Sequence, residues 1–519
     1  MDYDAVVIGS GLGGLTAGAL ASHAGARVLV LERNAALGGA ATTYHRGPLT
    51  VEASLHETTP PDAPGDPKRA LFDTLGIGDS LELVPIPTFQ EVRWRGLGTP
   101  FQLPHGFDRI EAALTARFPD DRQAIAAVLD QVRRTQRIAE FADHSLWWKL
   151  RHAGELPHDL WAGLKDIRAS LSEVFARHFG DNEALKFALC GNLAYYADDP
   201  DTLWWMAFAM AQGGYMKAGG FYIKGGSQRL TDRLVGAIRD AGGTVLTRSP
   251  ATGIDLDSQG AMTAVRYREA QTGAEVRAPT RTVFANAAPH VIKALLPAPA
   301  RPAFWERFAG RAVSISLCSA TLGLDRPPAD LGVTSYSTIL VPDWMDRFSD
   351  FRQGTALLGA DPAGRMPVLC VVDYSQIDSG LAEDGLHPVN VVCADRLAHW
   401  QDLGDAAYHR RRGAWLAAII ERLDTEWPGF AGAVKASTLS TARTMHAHLN
   451  TPEGAVYGFA MEPPHSLPRH APRTLDTAVP GLWIASAYTG FGGFTGAIGG
   501  GVAAARAALR AGLSGPGPL

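Results

Sequence analysis

Three glycine-punctuated stretches of this 519-residue chain predict an α/β fold built from discontinuous segments. One opens the chain at residues 4–34, one lies at 224–247 and one closes it at 481–510; each combines a short apolar strand, a glycine turn and a helix. The length exceeds what one ordinary core supports, so a second, inserted unit is expected. With 46% hydrophobic and 19% charged residues the composition is that of a packed globular protein. The net charge of −5 and the lack of a long basic run argue against nucleic acid as a partner. Cys190, Cys318, Cys370 and Cys393 share no CxxC spacing, which argues against a zinc site or a disulfide framework and fits a reducing compartment.

The opening stretch, DAVVIGSGLGGLTAGALASHAGARVLVLERN, reads as strand, turn, helix and strand. Ala5 to Ile8 is a buried β-run, Leu15 to His23 is helical, Gly25 ends the helix and Arg27 to Leu31 is the second strand. The turn holds GxGxxG, with its glycines at 9, 11 and 14. In a Rossmann-like unit Gly9 permits the tight turn, Gly11 lets backbone approach a pyrophosphate, and Gly14 lets helix pack close to strand. The helix N-terminus offers N–H groups and the positive end of a dipole to phosphate. Glu32, at the end of the second strand, can accept hydrogen bonds from ribose hydroxyls. A second glycine pair, Gly38-Gly39, follows the acid and resembles the extension of flavoproteins, whose backbone passes close to a long FAD. No second GxGxxG in this context follows, so a separate NAD(P)H domain is not expected.

The start Met1-Asp2-Tyr3-Asp4 carries two acids and no base, unlike a signal peptide, and no later apolar run is long enough to span a bilayer. The expected location is cytoplasmic, with peripheral membrane contact left open. That contact would use Trp147, Trp148 and Trp161, interleaved with Lys149, Arg151, Lys165 and Arg168 at helical spacing. The alternative, which Glu140, Asp143 and Glu155 favour by diluting the positive charge, packs these tryptophans into their own domain. Helical patterns run from Arg109 onward. Lys224-Gly225-Gly226 opens a helix with an apolar face of Leu230, Leu234 and Ile238. Thr244 to Thr247 is a strand, a meander runs through Val276, and Thr282 to His290 is a strand returning to a turn. Gly481 to Ala485 is a strand, Tyr488 to Gly493 a turn, and a helix begins at Thr495.

The series GxGxxG with Glu32, Gly38-Gly39, KGGSQRLTDRL, TVFANA and GLWIASAYTGFGGFTGAIGGGVAAARAAL resembles the FAD-dependent phytoene desaturase family, with its carotenoid isomerases and retinol saturases, relatives of the flavin amine oxidases. Pro452, Gly454 and Tyr457-Gly458 resemble the carotenoid isomerase branch. The resemblance implies a Rossmann-like FAD-binding domain from 1–60, 216–297 and 440–512, an inserted α+β substrate domain from 61–215 and 298–439, and a tail at 513–519. It implies noncovalent FAD, in keeping with the lack of cysteine in the closing motif. It also implies an oxidoreductase that desaturates, saturates or isomerises carbon–carbon bonds of a lipophilic isoprenoid or polyene, by hydride transfer at flavin N5. A flavin amine oxidase and a lipid carrier without redox turnover are the alternatives.

The expected cofactor-binding set is Gly9, Gly11, Leu12, Gly13, Gly14, Glu32, Arg33, Gly38, Gly39, Ala40, Thr42, Thr43, Ala485, Gly492, Gly493, Phe494, Thr495 and Gly496. The closing glycines are expected to sit under the flavin ring, where a Cβ would collide with cofactor. His56 is a candidate proton donor or acceptor, since histidine titrates near neutrality. Tyr488 is a candidate substrate-facing aromatic, with a core role as the alternative. One of Phe491 and Phe494 is expected to line the substrate side. His446 and His448 alternate on an expected strand; a metal pair there lacks a third ligand, and no metal is expected.

Overall fold

The computed structural model describes residues 3–143, 146–151, 154, 163, 165–382, 385–464, 477–490 and 492–513. The first strand, β1 (Ala5–Ile8), and the second, β2 (Val28–Leu31), are fully buried apolar runs that flank helix α1 (Leu12–His23). They lie side by side in a five-stranded, all-parallel sheet. Its strand order is 482–484, 283–285, β1, β2, 244–246, so the sheet draws on both ends of the chain. A parallel sheet needs cover on both faces, and alternate residues supply it. Val7, Val28, Val30 and Phe284 face a cluster with Leu15, Leu230, Leu234 and Val502, from α1, the helix Gln228–Asp240 and the closing helix Gly493–Arg510. Val6, Ile8, Leu29 and Leu31 face the opposite cluster, with Ile254 and Val265 of a three-stranded meander and Ile292 of the helix Pro289–Leu295.

Helix α1 begins at Leu12, not at Leu15 as the sequence reading had it, so Gly13 and Gly14 lie in its first turn. The early start has a partner: Asn286 Oδ1 accepts the Gly14 N–H at 2.9 Å, and the Gly11 carbonyl accepts that of Leu15. The closing helix likewise starts two residues earlier than expected, at Gly493. It packs against α1 with backbones nearly touching. A Cβ on Gly501 would lie 2.3 Å from the Gly13 carbonyl oxygen, and one on Gly13 would lie 2.3 Å from that of Ala485.

A seven-stranded sheet forms the second centre. Its order is 434–440, 316–324, 387–395, 369–373, 337–340, 90–93, 101–103, antiparallel except where 337–340 meets 90–93. Val92, Ile339, Cys370 and Val392 face a helical cluster built around Phe175, Phe187 and Phe208; Leu340, Val371, Val391 and Cys393 face Trp415, Ile419 and Leu423 of the long helix Asp405–Glu426. All four cysteines are buried free thiols.

His446 and His448 lie on the helix Ala442–Leu449, which overturns the expected strand. Thr441 and Thr444 form a reciprocal cap at its start, and Asn450 ends it in the left-handed conformation (φ 56°). Two residues apart on a helix, the histidines diverge instead of sharing a face. His446 Nδ1 meets Thr451 O at 2.7 Å, whereas His448 Nε2 meets Gly39 O at 3.3 Å.

No helix among the described residues is long and apolar enough to cross a membrane. In the Trp147–Arg168 segment, Trp147 is 84% exposed, whereas Trp148 packs edge-on against Phe141. Trp161 and Glu155 lie outside the described residues.

Candidate active site

The glycine turn after β1 is held rigidly by its own protein. Glu32, buried at the end of β2, accepts from the Ser10 N–H at 2.9 Å and hydroxyl at 2.7 Å, and from the Asn34 N–H at 2.7 Å. The Gly38 N–H donates to Ser10 O, and Gly38 pairs with Gly11 as an isolated parallel bridge. The second glycine pair therefore lies directly on the first turn. Gly9 and Gly38 adopt left-handed φ values of 95° and 111°, a conformation only glycine takes without strain. A Cβ on Gly14 would lie 2.5 Å from Gly9 O and 2.9 Å from Val7 Cγ1, in agreement with its helix-against-strand role. A Cβ on Gly11 would strike the Asn286 amide at 2.5 Å, so this glycine is required by the protein as well as by any ligand. Sequence reading missed Asn286; its position directly after the strand Val283–Ala285 was the available signal. With Gly14 N–H occupied, Leu12 and Gly13 carry the remaining open amides of the first helical turn. A helix start with free N–H groups, a turn without side chains and a buried acid at the next strand end fit the pyrophosphate and ribose of a dinucleotide.

The other expected cofactor residues fall into separate groups. Thr42 Oγ1 donates to Gly39 O at 2.8 Å, Thr43 Oγ1 donates to Glu52 Oε2 at 2.7 Å, and Ala40 lies half-buried between them and the glycine pair. Arg33 turns away, donating to the carbonyls of Ala447 and His448. Ala485 is fully buried and donates its N–H to Ala285 O at 2.9 Å. Residues Gly492 to Gly496 are all half-buried at the start of the closing helix. Several closing glycines answer to protein, a steric demand beside the one expected from cofactor. A Cβ on Gly492 would lie 2.4 Å from Tyr457 O, and one on Gly500 2.4 Å from Ser486 O; at Gly493 it would meet nothing within 4 Å. Phe494 packs against the core below the parallel sheet, and Phe491 lies outside the described residues. The Tyr488 ring, almost wholly buried, meets Phe459 edge-on at 5.0 Å within the core on the meander side, and its hydroxyl has no hydrogen-bond partner among the described residues.

His56 lies elsewhere. Glu52 begins its segment as a buried carboxylate that accepts from Ser227 N and Oγ, Leu55 N and Ser54 N, tying the chain to the turn before the helix Gln228–Asp240. Three tyrosine hydroxyls then clamp three successive carbonyls: Tyr374 donates to Leu55 O, Tyr336 to His56 O and Tyr215 to Glu57 O. The His56 ring lies 5.6 Å from that of Tyr195 and 6.5 Å from that of Tyr374. His56, Glu57, Tyr195, Tyr196, Tyr215 and Tyr457 are each half-buried, and we read this tyrosine-rich cluster as the lining of a chamber.

Burial sets the chemistry of this chamber. It pulls the His56 imidazole down to about 4 and pushes the Glu57 carboxyl up to about 8, so both are neutral at pH 7. His56 Nδ1, Glu57 Oε2 and the Tyr195 hydroxyl lack hydrogen-bond partners among the described residues; Tyr195 has only the weakly polar Cys370 thiol beside it. The chamber adjoins the start of the closing helix by two routes. Tyr457 backs onto Gly492, and Thr59, two residues after Glu57, approaches Thr495 Oγ1 at 3.5 Å. Buried Lys68 joins both threonines, donating to Thr59 at 3.2 Å and Thr495 at 2.9 Å while paired with Asp66 at 2.6 Å. Sequence reading missed Glu57 and Lys68. Among the described residues no group of three His, Cys, Asp or Glu side chains could hold a metal ion.

A parallel dinucleotide-type sheet, a glycine cradle with its acid, and a deep chamber beside the closing helix define a nucleotide-cofactor oxidoreductase fold. The chain belongs to the family described as flavin containing amine oxidoreductase, whose model matches residues 12–509. It is 24% identical over 534 residues to the all-trans-retinol 13,14-reductase of Danio rerio, covering 96% of this chain and 84% of that protein. It is also 24% identical over 537 residues to the chloroplastic prolycopene isomerase of Arabidopsis thaliana, covering 98% and 83%. Among solved structures, an oxidoreductase from Methanosarcina mazei matches with a TM-score of 0.64 at 17% identity, over 96% of this chain and 99% of that one.

Proposed function

We propose that this chain is an FAD-dependent oxidoreductase that desaturates, saturates or isomerises carbon–carbon bonds of a lipophilic isoprenoid or polyene. Relatives matched over most of their length are named for a retinoid reduction and a carotenoid isomerisation, which supports this substrate class. The observation that carries the reading is the chamber's position: His56 and Glu57 stand two to three residues from Thr59, which meets the start of the closing helix. In this reading FAD is held noncovalently. Gly9, Gly11, Leu12, Gly13 and Gly14 receive its pyrophosphate, Glu32 its ribose, Gly38 to Thr43 its flank, and Gly492 to Gly496 its ring. FAD held by these residues would supply the hydride chemistry of the carbon–carbon reaction.

The chain's own residues do the rest. The three tyrosine hydroxyls fix the backbone of Leu55 to Glu57, so both polar side chains keep one orientation. Neutral His56 offers one donor and one acceptor nitrogen, and the Glu57 carboxyl holds a proton at Oε1 or Oε2. The test is anaerobic mixing of the FAD-loaded protein with polyenes, read by flavin bleaching and by product mass and double-bond geometry. Bleaching with a changed product supports the reading; a protein that takes up no FAD ends it. The family model also accommodates amine oxidation, and peroxide release on amines with silence on polyenes would replace this reading with that one.

A further inference from the structure

The chamber's polar atoms bear on what the substrate carries. His56 Nδ1, Glu57 Oε2 and the Tyr195 hydroxyl are buried without a hydrogen-bond partner among the described residues, and His56 and Tyr195 stand with rings 5.6 Å apart. Glu57 Oε2 is wedged against the backbone of Gly220, where a Cβ would lie 2.6 Å away. Four neighbouring tyrosines are committed: Tyr196 donates to Gln212 at 2.6 Å, and Tyr215, Tyr336 and Tyr374 hold the clamped carbonyls. The three unpaired atoms carry almost no accessible surface, whereas the second polar atoms of His56 and Glu57, Nε2 and Oε1, are not sealed in this way and also make no hydrogen bond among the described residues. A ligand oxygen can pair them, and a hydrocarbon chain cannot.

The set also rejects charge. Among the described residues no cation offsets Glu57, whose proton affinity is raised by burial alone, and Lys68 is spent on Asp66 and two threonines. A phosphate or carboxylate would find no counter-ion here. A neutral acid, a neutral imidazole and a phenol together offer donors and acceptors suited to a neutral oxygen.

We propose that the substrate is an oxygen-bearing isoprenoid whose hydroxyl or carbonyl end is received by Glu57, His56 and Tyr195, and not an all-hydrocarbon carotene. This rests on the polyene reading above and narrows it. A site built to bond an oxygen function discriminates strongly against the analogue that lacks it, because its own groups are then left unpaired.

The test uses the full chain loaded with FAD and a matched series of one chain length and unsaturation: a polyene alcohol, its aldehyde and the parent hydrocarbon. Turnover (kcat/KM) and equilibrium binding, read by quenching of protein fluorescence, are measured for each. We expect the alcohol or the aldehyde to exceed the hydrocarbon by about 30-fold or more in both readouts, the better of the two telling hydroxyl from carbonyl. In Glu57→Leu and in Tyr195→Phe that ratio should shrink several-fold. A hydrocarbon that binds and reacts as well as its oxygenated partners in the unmodified protein overturns this inference and leaves the polyene reading standing. Flavin uptake with no turnover of any member of the series overturns the polyene reading, and this inference with it.

Discussion

The glycine cradle and the tyrosine-walled chamber solve opposite problems. In the cradle every strong polar group is paired within the protein: Glu32 with Ser10 and Asn34, Asn286 with Gly14, Glu52 with Ser227. Apart from the spare lone pairs of Glu32, the surface left for a ligand is backbone. In the chamber the backbone is paired and the side chains are left open: tyrosines occupy the carbonyls of Leu55 to Glu57, while His56, Glu57 and Tyr195 keep unpaired atoms. The first arrangement suits an invariant ligand recognised through shape and dipoles. The second suits a ligand recognised by a few atoms, and it leaves the free protein under polar tension.

Four tests break or sharpen this contrast. The largest effect is expected at Lys68, whose ammonium and Asp66 partner are almost wholly buried where the two regions meet. Lys68→Met leaves a buried carboxylate without its cation and should lower stability by about 3–5 kcal/mol in chemical denaturation. Asp66→Asn in the same chain should restore much of the loss; if it restores none, the pair is not what holds this corner.

Next is Gly13→Val. Its side chain would enter backbone already 2.3 Å from the Cβ position, so a loss of about 3 kcal/mol is expected, with depleted bound flavin in the purified protein. Normal flavin content and an unchanged melting temperature would show that the two helices can move apart.

The chamber should reveal itself by pH. The raised Glu57 carboxyl favours its proton in the folded state, so stability falls as pH rises from the unfolded value near 4.5 to about 8. The lowered His56 works the other way, adding stability as pH rises from about 4 to 6.5. The slopes of this pair oppose below 6.5, and above it Glu57 alone of the two acts. Its contribution to stability should therefore drop by about 2 kcal/mol between pH 6.5 and 8, at about 1.4 kcal/mol per unit. Glu57→Gln should flatten that interval, and an unchanged slope in the variant would assign the titration to another group.

The smallest effect is at the clamp. Tyr336→Phe and Tyr374→Phe each remove one hydrogen bond to a buried carbonyl and should lower stability by about 1 kcal/mol. Both should also broaden the pH response of Glu57, which a packing defect alone would not do.

The cradle was legible in the sequence because its parts are neighbours. Gly9 to Gly14, Glu32 and Gly38-Gly39 lie within about thirty residues, and each glycine has a local steric cause. The chamber was not, because Tyr215, Tyr336 and Tyr374 reach the Leu55–Glu57 backbone across 158, 280 and 319 residues. His56 was found by residue type, whereas Glu57 is unremarkable until its burial is known. The His446–His448 alternation misled for a local reason: spacing of two suggests a strand, and the caps at Thr441 and Asn450 that make it a helix carry a weaker signal. The early start of α1 depended on Asn286, 272 residues distant from Gly14.

The contact between Gly13 and Gly501 makes the nucleotide turn a shared structure. The surface it rests on is made by Ala485 and the helix Gly493–Arg510, on the far side of the seven-stranded sheet in the sequence. The opening strand, turn and helix therefore form a cradle without a back wall until that distant segment has docked. Competence to hold a nucleotide is a property of the assembled fold, and a fragment carrying the glycine turn alone should lack it.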